Sequence, residues 1–554
     1  MGKIVRRLIF WYFTFAITKS ILSYFVPAPS EFSDAYIYAK MARNIFYFLT
    51  PDIETSYPIL YPIILSISYI FTDMTIVYPV MKIINSLVSS LIIFPAWLIS
   101  KEFMNEKNAF KMAILISLIP PMFAFSPLLM SENLFFPLFL FSFYFIYKSF
   151  ISLEYKWDIL AGIFIGLTVL TRTIGIVLIP SVLLFLFINT FRKNHIRQLR
   201  KKTTLFLSLI LTFIPLTVTS LYTSGFVLST LFGRYSSEAT AALSAAYPFE
   251  RIIPRFFIYI GYIILSSLTI FSLASLSAIK SIKNNYRLFV FVTISFITIL
   301  FSILVAINHG IFAESFTFPW LGGRVLGRYV AAIFPLVFIL GGIGIIKKQE
   351  ISKKVLVVIS LTLIFSANLL TIVLFPINNM SLTYIGIIKT ILENLFSIQV
   401  IVGIFALIFG ALPFIFYKIY KKMSFRQITS LTIIFFIILG VLNYSVIAFN
   451  SYTYWYKGDQ MQLGIWFNNY DKKQSTVLFD IRDTGEKIWK QNQEVLCDPN
   501  ACIMGFWIND KILIGHPDEV KADYIISKHE LNYPIIKEQG GIYIYESNNH
   551  NSGI

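Results

Sequence analysis

Four carboxylates crowd the early part of the chain, Glu31, Asp34, Asp52 and Glu54, and one of them stands where a catalytic base would be needed. In "PSEFSDAYIYAKMARNIF" Ser33 can cap a helix whose apolar residues Ile37, Met41, Ile45 and Phe48 recur at helical spacing, so Asp34 falls in the first turn. The helix dipole favours the carboxylate anion there. An anion so placed can take the proton of a hydroxyl as that group attacks, and the rings of Tyr36 and Tyr38 beside it can pack on a sugar. On local sequence alone, Asp34 reads equally well as a residue that merely serves the helix terminus.

A second set of residues is charged where its surroundings are apolar. Glu132 lies in "LLMSENLFFPL", Arg172 in "LTVLTRTIGIV", Arg324 and Arg328 in "WLGGRVLGRYVAAIFP", and Lys82 inside an apolar run. Charges at membrane depth face protein or a water-filled cavity, so Glu132 and Arg172 are expected on a cavity wall; ordinary loop charges are the alternative. Arg324 and Arg328 are expected one helical turn apart, as two guanidinium forks suited to phosphate oxygens or as interfacial snorkels. Lys40 and Arg43 are expected to meet anionic headgroups. The only two cysteines, Cys497 and Cys502 in "CDPNAC", read as a disulfide outside the membrane, with two free thiols as the alternative. There is no Walker A loop, no nucleophile-elbow serine and no zinc spacing among the five histidines. No metal ligands are assigned; the sequence requires no cofactor and leaves a divalent metal open.

The elements that must position these groups follow from composition. With 56% hydrophobic and 14% charged residues over 554, and a mean hydropathy of +0.72, the chain is too apolar for a soluble globular protein. Its net charge of +17 does not point to nucleic acid, because Lys and Arg punctuate the gaps between apolar runs instead of gathering on one face. Assigning those basic gaps to the cytoplasm predicts about 13 transmembrane helices at ~20 residues each, with the N-terminus inside. The first helix, Leu8 to Phe25, is read as an anchor and not a removed signal peptide.

The intervals 112–147 and 157–191 are too short for two full spans, so both hairpins should stop short of the outer surface, with Glu132 and Arg172 near their tips. Residues 27–75 form a long external loop with interfacial helices. After 449 the texture changes: "STVLFDI", "DYIIS" and "GGIYIYES" predict strands, and "DQMQLGIWFNNY" and "TGEKIWKQN" helices. The domains are therefore 1–449, transmembrane, and 450–554, a small extracytoplasmic α/β domain.

The order of these features resembles that of the GT-C fold glycosyltransferases, especially the lipid A aminoarabinose transferase and the protein O-mannosyltransferases. The likeness rests on the acid opening "SDAYIYAKMARNIF", the Pro-Tyr-rich re-entrant "SYPILYPIILSISYIF" with Tyr57 and Tyr61, the acid of "SENLFFPLFLF", the basic residue of "LTRTIGIVLIP" and the closing soluble domain. It implies that Asp34 is the catalytic acid of the first loop, Glu132 the second acid and Arg172 the basic group. Beside the resemblance, the residues themselves put Tyr36, Tyr38, Tyr57 and Tyr61 at the substrate and offer Lys82, Arg324 and Arg328 as groups that could hold the donor phosphate instead. The aminoarabinose enzyme has an acid-base pair where this chain has Ser56-Tyr57, so the sugar stays open. The expected reaction moves a sugar from a polyprenyl or dolichyl phosphate donor to a lipid, glycan or protein acceptor in a cell membrane, without nucleic acid. The alternatives are an oligosaccharyltransferase and a lipid-linked glycan flippase.

Overall fold

The computed structural model describes residues 2–30, 32–49, 57–152, 154–190, 202–214, 249–282, 285–312, 324–371, 376–471, 475–480, 482 and 499–547. Up to Thr190 every described element is a helix. It runs as α1 (Lys3–Tyr24), α2 (Phe32–Phe48), α3 (Leu60–Ser66), α4 (Met74–Ser90), α5 (Ile93–Ser100), α6 (Glu106–Ser117), α7 (Pro120–Ala124), α8 (Glu132–Ile151), α9 (Tyr155–Thr171) and α10 (Leu178–Thr190). Further long helices cover Tyr286–Phe312, Phe334–Lys347, Lys353–Phe365, Ile398–Lys422 and Phe425–Asn450.

Among the described residues eight helices are long and apolar enough to cross a membrane, or nine if the bent pair Glu250–Ser266 and Ile270–Ile279, turned by 105°, counts as one span. This is fewer than the thirteen expected. α9 has only 17 residues, and α1 carries Lys3, Arg6, Arg7 and Lys19 in its 22. The breaks at the two short hairpins fall at the charges: α8 begins at Glu132, and α9 ends where Arg172 turns extended (φ −152°, ψ 133°).

The chain divides into two compact units. One comprises Met1–Ile17, Leu87–Phe125 and Glu132–Ser445. Inside it α8 packs along α9, Ile270–Ile279 along Phe334–Lys347, and Lys353–Phe365 along Ile398–Lys422. Apolar side chains fill these seams, and the charges buried among them are paired, as desolvation requires. The ammonium of Lys202 meets Asp158, which also accepts 2.6 Å from Ser149 Oγ, and Lys148 meets Glu102 at 3.1 Å.

The other unit comprises Thr18–Ser86, Ser126–Ser131 and Val446–Ile554, and it contains a five-stranded sheet of order β2-β1-β3-β5-β4. The strands are β1 (Thr476–Asp480), β2 (Lys511–Gly515), β3 (Tyr524–Ser527), β4 (Ile535–Gln539) and β5 (Ile542–Glu546). β2, β1 and β3 run parallel, while β5 and β4 add antiparallel. The expected strands in "STVLFDI", "DYIIS" and "GGIYIYES" are β1, β3 and β5, and "DQMQLGIWFNNY" is the helix Asp459–Tyr470. "TGEKIWKQN" lies outside the described residues.

Alternation along the strands divides the domain's core. Val477, Phe479, Ile526 and Ile544 pack with Leu463, Phe467 and Met504, whereas Leu478, Ile525 and Tyr545 form a second cluster. Gly540 and Gly541, at φ +60° and +72°, make the tight turn between β4 and β5 that only such residues adopt without strain.

α2 departs from its expected setting. Ala35 to Arg43 are all buried, so the helix does not lie along a lipid interface over that length; Phe46 and Phe48 near its end are exposed. One side packs on α3 and another on the helix Pro499–Trp507. Lys40 and Arg43, 6% and 2% exposed, therefore do not reach headgroups; they meet the α/β domain.

Candidate active site

Within the unit that holds α2, Asp34 sits in the first turn of the helix, half-buried, and its Oδ1 accepts a 2.7 Å hydrogen bond from the Tyr57 hydroxyl. The Tyr57 ring lies 5.0 Å from that of Tyr38, tilted 31°, and Tyr61 meets Tyr38 edge-on at 4.9 Å. Each hydroxyl has an acceptor: Tyr38 donates to Ser131 Oγ at 2.9 Å and Tyr61 to Asn85 Oδ1 at 2.9 Å. Asn85 in turn donates 2.9 Å to the Leu128 carbonyl. A carboxylate, three tyrosines, a serine and an asparagine thus form one hydrogen-bonded and stacked group.

Tyr36 is not part of it. Two residues along a helix are about 200° apart, so Tyr36 points away from the face shared by Asp34 and Tyr38. It lies near Lys40, whose ammonium is 5.9 Å from its ring centroid, and Gly505 of the α/β domain, where a Cβ would come within 3.1 Å of it. Of the four tyrosines expected at the substrate, the structure groups Tyr38 with Tyr57 and Tyr61 and sets Tyr36 apart.

Lys82 belongs to the same unit. It is 5% exposed, donates 2.8 Å to the Ser23 carbonyl and 2.7 Å to that of Val26, and stands 4.4 Å from the Tyr78 ring centroid. Ser23 lies in the last turn of α1, where the helix dipole is negative, and Val26 two residues beyond its end. Lys82 therefore fixes where the first helix stops and the segment leading to Asp34 begins.

The other unit holds the remaining charges. Glu132, 1% exposed in the first turn of α8, forms an ion pair with Arg172. The Arg172 guanidinium also stands 5.9 Å from the Phe135 ring and 5.3 Å from that of Tyr329. Tyr329 is shared: Arg328 lies 5.4 Å from its centroid, and the His309 ring packs on it at 4.3 Å. Two guanidinium groups at one tyrosine suit an anion such as phosphate.

Arg324 is half-buried but does not form a helical pair with Arg328, because the helix begins only at Gly327. Its start is pinned there. Leu326 N donates 3.3 Å to the Tyr259 hydroxyl, and Gly327 lies so close to Tyr262 that a Cβ would fall 2.0 Å from its hydroxyl oxygen.

Asn85, Ser131, Tyr329 and His309 were not expected. Ser131 and Tyr329 adjoin residues singled out by charge, Glu132 and Arg328, so adjacency was the available signal; Asn85 and His309 carried none. Glu31, Asp52 and Glu54 lie outside the described residues, as does Cys497. Cys502 is 2% exposed and disulfide-bonded. Among the described residues no three His, Cys, Asp or Glu side chains converge as metal ligands would.

A helical membrane body with short broken hairpins, a first loop that presents an acid, and a small α/β domain make up the GT-C fold, the fold of a class of membrane glycosyltransferases. Residues 56–218 match the dolichyl-phosphate-mannose-protein mannosyltransferase family model. ArnT from Cupriavidus metallidurans bound to undecaprenyl phosphate superposes over 97% of both chains with a TM-score of 0.58 and 12% identity. Its apo state does so over 98% of both, with 0.55 and 11%. The Archaeoglobus fulgidus oligosaccharyltransferase covers 94% of this chain and 69% of its own at a TM-score of 0.46 and 11% identity. No curated protein matches. At such identities the likeness is one of fold.

Proposed function

We propose that the chain is an integral membrane glycosyltransferase that moves a sugar from a polyprenyl or dolichyl phosphate carrier to a lipid, glycan or protein acceptor on the outer face of a cell membrane. The carrying observation is Asp34, held by Tyr57 at 2.7 Å in the first turn of α2 among stacked tyrosines. The family match over 56–218, and the undecaprenyl phosphate bound by a protein of the same fold, support a lipid-phosphate donor.

In this reading Asp34 takes the proton of the acceptor hydroxyl as its oxygen bonds to the anomeric carbon. The bond from that carbon to the carrier phosphate breaks on the opposite side, so configuration inverts. The phosphate leaves as a monoester with one more negative charge, and cationic side chains stabilise the charge that develops. Tyr57 and Tyr38 form the aromatic wall beside Asp34 that is proposed to face the sugar, with the fully buried Tyr61 packed edge-on behind Tyr38. Lys82 is the proposed phosphate group of the unit that holds Asp34. Taken by itself, the other unit offers Arg172, Arg324 and Arg328 as proposed anion-binding groups, with Glu132 orienting Arg172.

The test is transfer from a panel of radiolabelled polyprenyl-phosphate sugars by purified protein. Asp34→Asn keeps shape and removes the base, so turnover should fall ~10²- to 10⁴-fold while donor binding persists. Near-normal activity in that variant refutes Asp34 as the base, and no transfer by wild type from any donor refutes the reaction class.

A further inference from the structure

One short stretch of the α/β domain touches both helices that carry the proposed chemistry. The helix Pro499–Trp507 and the turn Ile508–Asp510 after it lie more than 400 residues from α2 and α4 in sequence, yet in the same compact unit. Arg43 Nε donates 3.0 Å to the Asn509 carbonyl and 3.1 Å to Asn509 Oδ1, and the Lys40 ammonium donates to the Ile508 carbonyl. Asn509 works in two directions, because its Nδ2 also donates 2.8 Å to the Thr72 carbonyl, just ahead of α4.

A second tie reaches α4 further along. Phe506 and Trp507 meet Tyr78 edge-on at 5.5 and 5.6 Å, and Tyr78 is the ring beneath Lys82. The first turn of α4 is tied to the same domain again by Asn468, which donates 2.9 Å to Asp73 Oδ1 and accepts 3.3 Å from Met74 N.

An ammonium and a guanidinium buried on two backbone carbonyls, the Asn509 side chain and the nearby Asp510 carboxyl are a poor source of bare stability. Headgroups or water would solvate both charges more cheaply. What the arrangement supplies is register: Lys40 follows Asp34 by six residues, about 9 Å along the helix, and Tyr78 precedes Lys82 by one turn.

We propose that the stretch Phe506–Asn509 is a positioning element of the active site, setting α2 through Asn509 and α4 through Phe506 so that Asp34 and Lys82 keep their relative places. The inference rests on the function proposed above. Asn509 and Phe506 touch no reacting atom; Asn509 is the one of the two that holds α2, through Arg43, besides its bond to Thr72 ahead of α4, whereas Phe506 meets α4 at Tyr78. Loosening α2 should therefore reach the proton transfer, and loosening Tyr78 the phosphate.

The test compares full-length Asn509→Ala and Phe506→Ala with wild type in detergent, by hydrogen exchange and by steady-state transfer. Asn509→Ala should speed exchange in residues 35–48 while β1, β3 and β5 stay protected, and should lower kcat ~10- to 100-fold with donor KM within about threefold. Phe506→Ala should do the reverse, raising donor KM about tenfold with kcat within about threefold. Asn509→Gln, which keeps both amide functions, should recover part of the lost kcat.

Unchanged exchange in α2, wild-type kcat in Asn509→Ala, or equal losses in both parameters for both variants would each overturn the proposal; the last would show a purely structural contact. Failure of the function itself appears elsewhere, as an inactive wild type or an active Asp34→Asn. The exchange experiment still reads whether the stretch holds α2.

Discussion

Removing either member of the Glu132–Arg172 pair should destabilise the protein, and removing both should largely restore it. The pair is buried, with side chains 1% and 11% exposed, and breaking such a pair from one side costs ~3–5 kcal/mol because the partner's charge is left uncompensated. The two survivors are not equally placed. Without Arg172, Glu132 keeps the start of α8, where the dipole returns ~0.3–2 kcal/mol. Without Glu132, Arg172 keeps the faces of Phe135 and Tyr329, at ~0.5–2 kcal/mol each, and some access to water. Arg172→Met should therefore cost about 3–4 kcal/mol and Glu132→Gln about 2–3. The double variant has no charge left to desolvate and should lie within ~1 kcal/mol of wild type.

Thermal midpoints in one detergent, read by tryptophan fluorescence, give the order: Arg172→Met lowest, Glu132→Gln next, the double variant near wild type. Additive losses, with the double variant lowest, would refute the pairing. Donor use separates stability from chemistry, since the double variant should be folded yet poor with a lipid-phosphate donor.

Tyr57→Phe removes a hydrogen bond to a charged group worth ~1.5–3 kcal/mol, so kcat should fall ~10- to 100-fold with little change in fold; wild-type turnover would show that Tyr57 does not hold Asp34. Burial and the nearby Asp471 push the Asp510 carboxyl up to about 7, against the pull of Lys40 and Arg43. A carboxyl whose folded value lies above its unfolded one keeps a proton that the unfolded chain gives up, so its contribution to stability declines as pH rises from about 4 to about 7. Asp510→Asn should accordingly gain on wild type by a few kcal/mol across that window, measured as unfolding midpoints against pH; a constant difference would refute the shift. For the proposed orientation, a cysteine placed at Asn194 should resist an impermeant maleimide in intact cells and one at Asn548 should react, and the reverse pattern would place the α/β domain inside.

The parts of this molecule legible in its sequence are those set by local chemistry. Lipid demands apolar runs, so the membrane body could be read, and charges cannot sit in such runs unpaired, so Glu132 and Arg172 stood out before the structure joined them. β1, β3 and β5 announced themselves by β-branched and aromatic content between turn residues. β2 and β4 did not, although "KILIG" and "IIKEQ" are as long as β1 and β5; they are strands through their neighbours' ladders.

What stayed hidden depends on distant partners. Lys40 and Arg43 look like headgroup contacts until the chain's last hundred residues close over them. Tyr36 and Tyr38 look like a pair in print, but helical geometry parts them. Arg324 and Arg328 are four apart, yet no helix joins them, because Gly327 is held against Tyr262.

The bond from Arg43 to Asn509 spans 466 residues, and that interval is also one of time. At ~5–20 residues per second of synthesis, roughly half a minute to a minute and a half separates the two ends of that bond leaving the ribosome. Throughout that wait α2 is already made but lacks the partners that bury its lysine and arginine. The nascent protein must keep a charged helix soluble beside the bilayer while its membrane helices insert one after another. It acquires its finished first loop only with its last domain, so chains stopped short of Ile508 should accumulate in the membrane with the loop unlatched.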